Sequence, residues 1–368
     1  LGLLYSAFTA FLGFRVNNGE YKVMGMAPYG SPRYVDEVRR LIQVGDDGGF
    51  CLNMEYFCFH HSTRRTFNRR FVDLFGEPRE PEAEFFTRAT HPGEDHPQWT
   101  EAALARNVKY ADIAASIQRV TEEALLKKAR HAYARTGCKN LVMAGGVALN
   151  SVANGRIMRE TPFENVYIQP AAGDAGGALG AALYVYHVLL GRPRAFVMEH
   201  AYWGAAYSEG EMLAAIEESG LPYERTSGDD RLVDRVVERL LDGAVIGWYR
   251  GRFEWGPRAL GNRSILADPR QGEMKDVVNT KIKFREAFRP FAPVVPEERA
   301  AEYFDLPDLE RHYPPRFMLV VSSVREKKRD EIPAVCHEGD TGRLQTVRRE
   351  WTPAYSDVVD KFGQATGV

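Results

Sequence analysis

The chain has 368 residues, 44% of them hydrophobic and 27% charged, which is long for one ordinary domain and too apolar for a disordered tail. Lys and Arg number 48 against 50 Asp and Glu, a net charge of −2, so nothing drives the whole molecule onto nucleic acid or an anionic membrane. The four cysteines, Cys51, Cys58, Cys138 and Cys336, are too scattered for a disulfide framework or a CxxC zinc site and suit a reducing, cytoplasmic setting.

Leu3 to Phe14 reads as a helix with Leu4, Phe8, Phe11 and Leu12 on one face. It lacks the basic leader of a signal peptide. No run of about 20 apolar residues predicts a membrane-spanning helix. NNGEYKVMGMAPYGSP is a loop-rich stretch, and residues 46–100 are irregular and polar. Tyr110 to Thr136 is the clearest helix, with Ile113, Ile117, Val120, Ala124 and Leu125 at helical spacing and Gly137 as its stop. A strand NLVMAGG, a glycine turn and a helix beginning in ALNSVANGRIM follow. The strand NVYIQP, the loop AAGDAGG and an apolar helix from Ala178 to Leu190 repeat that order, which argues an α/β architecture. Residues 191–210 read as a link. Helices over 209–219 and 231–242, the strand AVIGWYR and a basic, loop-rich region complete the chain. The expected division is into units 1–199 and 200–368, with the break near 195–205. Leu1 and the closing KFGQATGV read as cuts through a longer protein.

Two glycine loops stand where strands end and helices begin: MAGGVALN (143–150) and QPAAGDAGGALG (169–180). Glycine lets backbone approach a phosphate, and a helix start points free N–H groups at it. Small residues also serve tight strand–helix packing, and neither loop matches GxGxxG or the Walker pattern. Asp174 is the one carboxylate in its small, apolar loop. It suits a helix cap or a metal ligand beside phosphates, and spacing does not choose between them. Two successive strand–loop–helix units predict Asp174 at a helix start, beside Gly145 and Gly146 on the open side of the sheet.

The most unusual stretches are GRFEWGPRALGNRSILADPR (251–270) and NTKIKFREAFRPFAP (279–293). They carry Arg252, Arg258, Arg263, Arg270, Lys281, Lys283, Arg285 and Arg289 among Gly, Pro and Phe, without helical periodicity. Arginine offers a planar fork to phosphate and carboxylate oxygens. Salt bridges to Glu254, Asp268 and Glu286 are the plainer use of any single member, whereas the cluster favours an anion pocket. In HEGDTGRLQTV (337–347) a glycine turn leads into a strand on which Arg343 and Gln345 share a face. The basic stretches are therefore expected to form an anion pocket, with carboxylates, water or an anion balancing the cations.

These segments, together with LGLLYSAFTAFLGFRVNNGEYKVMGMAPYG, AGGVALNSVANGRI and IQPAAGDAGGALGAAL, resemble the NodU/CmcH carbamoyltransferase family along the whole chain. The resemblance implies a partial Kae-like ATPase domain of the actin/sugar-kinase type over 1–199. A YrdC-like domain, C-terminally incomplete, would occupy 200–368. It implies ATP-dependent O-carbamoyl transfer, in which carbamoyl phosphate and ATP give carbamoyl-adenylate and a hydroxyl of a small-molecule acceptor then takes the carbamoyl group. Gly145, Gly146, Asn150 and Gly173 would line the nucleotide, and Asp174 would bind a divalent metal, Fe2+. Arg258, Lys283, Arg285, Arg289 and Arg343 would hold the phosphates, so Arg258, Arg285, Arg289 and Arg343 are expected to converge on one concave site. The sequence departs from the family in lacking an HHxxHA metal motif: His60 and His61 are followed by Ser-Thr-Arg-Arg. Two alternatives stand beside this reading: threonylcarbamoyl-type transfer to transfer RNA, against which the near-neutral charge weighs, and a non-catalytic nucleotide-binding fragment. The acceptor and the oligomeric state have no sequence signal.

Overall fold

The computed structural model describes residues 1–93, 96 and 99–368; residues 94, 95, 97 and 98, inside the stretch expected to be irregular, lie outside the described residues. The spine is the helix Glu101–Thr136, which begins earlier than its apolar spacing indicates. Thr100 explains the early start: its hydroxyl accepts the N–H of Ala103 as an N-cap. Residues 101–109 mix small, apolar and charged side chains at mostly exposed or half-buried positions, so no clean apolar face marks them. Gly137, at φ 63°, closes the helix in the left-handed conformation.

The two halves of this helix enter different cores. Ile113, Ile117 and Val120 join an aromatic cluster of Phe8, Phe11, Phe71, Phe75 and Phe288, in which Phe8 and Phe11 of the helix Gly2–Phe11 meet Phe71 and Phe75 at 5.0–6.0 Å between ring centres. Leu125, Leu126 and Ala129 join a second cluster with Ile157, Ile168, Val295, Phe304, Phe317 and Leu344.

The strand pairs are short. Asn140–Met143 runs parallel to Asn165–Ile168, the crossover being the helix Ser151–Glu160, as the repeated strand–loop–helix pattern requires. Ile246–Tyr249 lies antiparallel to Arg263–Leu266, and Val294–Pro296 parallel to Gln345–Val347. Val321–Ser323 lies antiparallel to Thr341–Arg343. Arg343 and Gln345 thus belong to two successive strands with different partners, not to one strand, because the chain changes partner at the buried Leu344. Among the described residues no named strand pair joins residues before 199 to residues after it, whereas the second apolar cluster draws on both sides.

The crossing point is close. Asn154 donates to the carbonyls of Ala148 and Leu319 at 2.8 and 2.9 Å. A Cβ on Gly155 would stand 2.1 Å from the Val321 carbonyl oxygen. Gly155→Ala should therefore force the helix off the Val321 strand and destabilise the protein by about 1–3 kcal/mol, the usual cost of overpacking. An unchanged urea midpoint would show that this junction yields freely.

The expected apolar helix is found as Gly176–Tyr184, widening into a π turn over Val185–Leu189. None of its residues is buried, and Tyr184 and Leu189 are 57% and 66% accessible. Among the described residues no helix is long and apolar enough to cross a membrane.

Candidate functional site

A cavity of about 460 Å³ opens between residues 21–29 of the N-terminal region and segments from the C-terminal half. Arg258, Lys283, Arg285, Arg289 and Arg343 all line it. Local chemistry sets each position. Arg258 follows Gly256, whose φ is 106° and whose Cβ position lies 2.9 Å from the Pro170 carbonyl carbon, so only glycine lets this loop seat there. Arg285 donates from Nε to Asn279 Oδ1 at 2.7 Å, and its guanidinium lies 4.5 Å from the Phe291 ring centre. Arg289 lies over Tyr21 at 4.7 Å. Arg343 ends the strand Thr341–Arg343.

The basic residues of the two unusual stretches separate by their partners. Arg263 pairs with Glu254 at 2.8 Å and Arg270 with Asp268 at 2.7 Å, and both carboxylates also accept loop N–H groups. Those arginines brace turns. Arg252 donates to the carbonyls of Trp203 and Gly204. The cavity cations are left with little compensation. Glu286 is bound by Lys22 at 2.6 Å and stands 3.6 Å from Arg289. Nε of Arg258 and Nε of Arg343 are buried without a hydrogen-bond partner.

The proton affinities register this crowding. Burial, and then the charges of Arg258, Arg285 and Arg289, push Arg343 well below the ordinary arginine range. Burial and Arg289 bring Arg285 down to about 10, and burial with Arg285 and Arg289 lowers Lys283. Taking several cations out of water without anions to replace their hydration is unfavourable, and an arriving polyanion reverses that cost.

Other residues line the cavity too, and of these only Gln345, placed on one strand face with Arg343, had drawn notice in the sequence. Tyr21 stacks on Arg289; Lys275 is lowered chiefly by burial; His337, bridged to Thr341, and Gln345, in the strand that follows Arg343, reach the cavity from either side of it. His337 opens the HEGDTGRLQTV segment, and that position was its only visible signal.

The glycine loops form a neighbouring locus. Gly145, at φ 97°, donates its N–H to the Ala172 carbonyl at 2.8 Å, and a Cβ on Gly173 would lie 3.9 Å from Gly146 Cα. The two loops therefore rest on each other, with open space at the Cβ positions of Gly145 and Gly146. Asn150 turns inward: it caps the helix Ser151–Glu160 through Ala153 N–H and exchanges hydrogen bonds with Gln118 at 3.0 and 3.1 Å. Its amide is thus engaged in fixing the loop. Asp174 is exposed in the turn just before the helix Gly176–Tyr184. Among the described residues no group of three or more His, Cys, Asp or Glu side chains gathers for a metal. Asp174 alone does not furnish a metal cage, so the described residues do not fit a resident metal by themselves. The two loci touch: Gly256 sits on Pro170, and Trp255 Nε1 donates to Gln169 Oε1 at 3.3 Å.

Family comparison matches residues 1–183 to the model described as carbamoyltransferase N-terminus and residues 237–368 to that described as carbamoyltransferase C-terminus. The chain belongs to the carbamoyltransferase family. It is 42% identical over 394 residues to an uncharacterized protein of Synechocystis. It is 39% identical over 374 residues to nodulation protein NolNO of Sinorhizobium fredii and 37% identical over 381 residues to nodulation protein NolO of Bradyrhizobium diazoefficiens. All of this chain is covered in each case, and it spans 60%, 49% and 61% of those relatives' own lengths. Both matched family segments contribute to the cavity. Tyr21, Met24 and Ser151 come from the N-terminal one, and Arg258, Arg289 and Arg343 from the C-terminal one.

Proposed function

We propose that the protein to which this chain belongs is an ATP-dependent O-carbamoyltransferase. The observation that carries this reading is the set of desolvated, underpaired cations on one cavity, which calls for a small polyanion rather than an extended one. Carbamoyl phosphate and ATP match it. Carbamoyl phosphate, ATP and one water give carbamoyl-adenylate, phosphate and pyrophosphate. A hydroxyl of a small-molecule acceptor then attacks the carbamoyl carbon, its proton leaves, and AMP departs. Arg258, Lys283, Arg285, Arg289 and Arg343 bind phosphate oxygens and stabilise the charge that develops as the phosphates leave. The neighbouring glycine loops suit the second half of the reaction, in a Kae-like unit beside a YrdC-like one. Contact between the two loci keeps the path of the adenylate short. Any metal in the transfer step would require ligands beyond Asp174, and no step is assigned to it.

The test is pyrophosphate release from the full-length protein. Release should require ATP and carbamoyl phosphate together. Release with ATP alone, or none with both, would refute adenylate formation. The near-neutral net charge of −2 weighs against transfer to RNA.

A further inference from the structure

The cavity's charged side chains identify the anionic end of a ligand; its neutral acceptors speak to the other end. Arg258, Lys275, Lys283, Arg285, Arg289 and Arg343 line it, and each is a donor only when protonated. A carbamoyl group carries an NH2 with two N–H donors. None of these cations can receive them, and an N–H buried without an acceptor costs as much as a lost hydrogen bond.

Several lining side chains carry acceptor oxygens, Ser151, Ser264, Glu338 and Thr341 among them, but in His337 and Gln345 a backbone carbonyl claims one polar atom and leaves the other as an acceptor. The Nε2 atom of His337 lies 2.8 Å from the Phe291 carbonyl oxygen. A carbonyl only accepts, so Nε2 carries the hydrogen, and in the neutral ring Nδ1 is left as an acceptor. Burial, together with the charges of Arg343 and Lys275, holds the His337 ring down at about 4 despite its bond to Phe291, so it is neutral at working pH. Gln345 is fixed in the same manner: its Nε2 donates to the Leu260 carbonyl at 2.6 Å, which turns Oε1 away as an acceptor. Gln345 is 1% exposed, and its Oε1 is buried without a partner. A buried acceptor left open beside a cavity of cations is unfavourable until a donor arrives.

We propose that Nδ1 of His337 and Oε1 of Gln345 are the acceptors for the carbamoyl NH2, and that they select carbamoyl phosphate over acetyl phosphate. This rests on the reading of the cavity as a carbamoyl phosphate site. Acetyl phosphate has the same shape and charge with CH3 in place of NH2. It leaves both acceptors unpaired, and sites built to hydrogen-bond a group discriminate strongly against the analogue that lacks it.

The experiment is calorimetric titration of the full-length protein with carbamoyl phosphate, acetyl phosphate and inorganic phosphate. The unaltered protein should prefer carbamoyl over acetyl phosphate by at least about tenfold, the worth of one typical hydrogen bond. His337→Phe keeps the ring and Gln345→Met keeps the chain length, and each removes one acceptor. Each should weaken carbamoyl phosphate by about tenfold and leave acetyl and inorganic phosphate within about twofold, the remaining contacts being unchanged. Equal loss of all three ligands in both variants, or an unchanged preference, overturns the assignment of these residues. If the unaltered protein binds carbamoyl and acetyl phosphate equally, the selection is wrong while the anion site stands. If it binds none of the three, the carbamoyl phosphate reading itself has failed.

Discussion

Arg343→Met should make the ligand-free protein more stable and deprive it of phosphate binding. The two effects have one cause. Arg343 lies among Arg258, Arg285 and Arg289 with its Nε unpartnered, and burial and those three charges all act against its protonated form. Met retains most of the length and apolar volume of the stem without the charge. Exchange of buried ionic groups for apolar residues of similar volume is often stabilising, by about 1–4 kcal/mol, and Arg343, whose Nε has no partner and which forms no ion pair among the described residues, is among the favourable cases. The gain should appear as a higher melting temperature in a buffer free of phosphate and sulfate. Anion binding reverses the order. A ligand at 100 times its Kd stabilises by about 2.7 kcal/mol, so phosphate should raise the melting temperature of the unaltered protein and leave the variant where it was. A less stable Met variant would mean that Arg343 is a structural strut, and the description of the cavity as an electrostatically loaded anion site would be wrong.

The sequence announced this site better than it announced the fold around it. Arginines interleaved with Gly, Pro and Phe do not read as a solvated helix face, and that composition was enough to expect an anion pocket; the family resemblance then singled out Arg258, Arg285, Arg289 and Arg343, all of which the structure places on one cavity. It could not sort Arg263 and Arg270 from the rest, because their partners Glu254 and Asp268 are within ten residues and look no different in sequence from Glu286. The helix Glu101–Thr136 was legible only where its face is buried and apolar; its capped, largely exposed start was hidden. The change of strand partner at Leu344 was invisible, since period-two alternation runs straight through it. The cavity wall contributed by residues 21–29 depends on contacts across more than 200 positions, which no local pattern encodes. The acceptor role of His337 and Gln345 was hidden for a chemical reason: it depends on which of their own atoms the backbone has already claimed.

His337 also gives the cavity a measurable dependence on acid. Its ring is held at about 4 in the folded protein against an ordinary value of 6.5. Above pH 6.5 the ring is neutral whether the chain is folded or not, and it adds nothing to the pH dependence. As the pH falls from 6.5 towards 4, the unfolded chain takes up a proton that the folded chain refuses. Stability is then lost, by about 3 kcal/mol over the window for a shift of this size. Below 4 both forms are protonated and the loss is complete. Arg343 and Lys275, the cations that face the ring, stay charged throughout this range and do not titrate in it. The comparison that isolates the effect is the difference in urea stability between the unaltered protein and His337→Phe, followed from pH 7.5 to 4 without phosphate. Other titrating groups are common to both proteins and cancel. The difference should fall steadily below pH 6.5 in favour of the Phe variant. Parallel curves would show that water or an anion reaches the ring, that Nδ1 is protonated, and that it cannot serve as an acceptor.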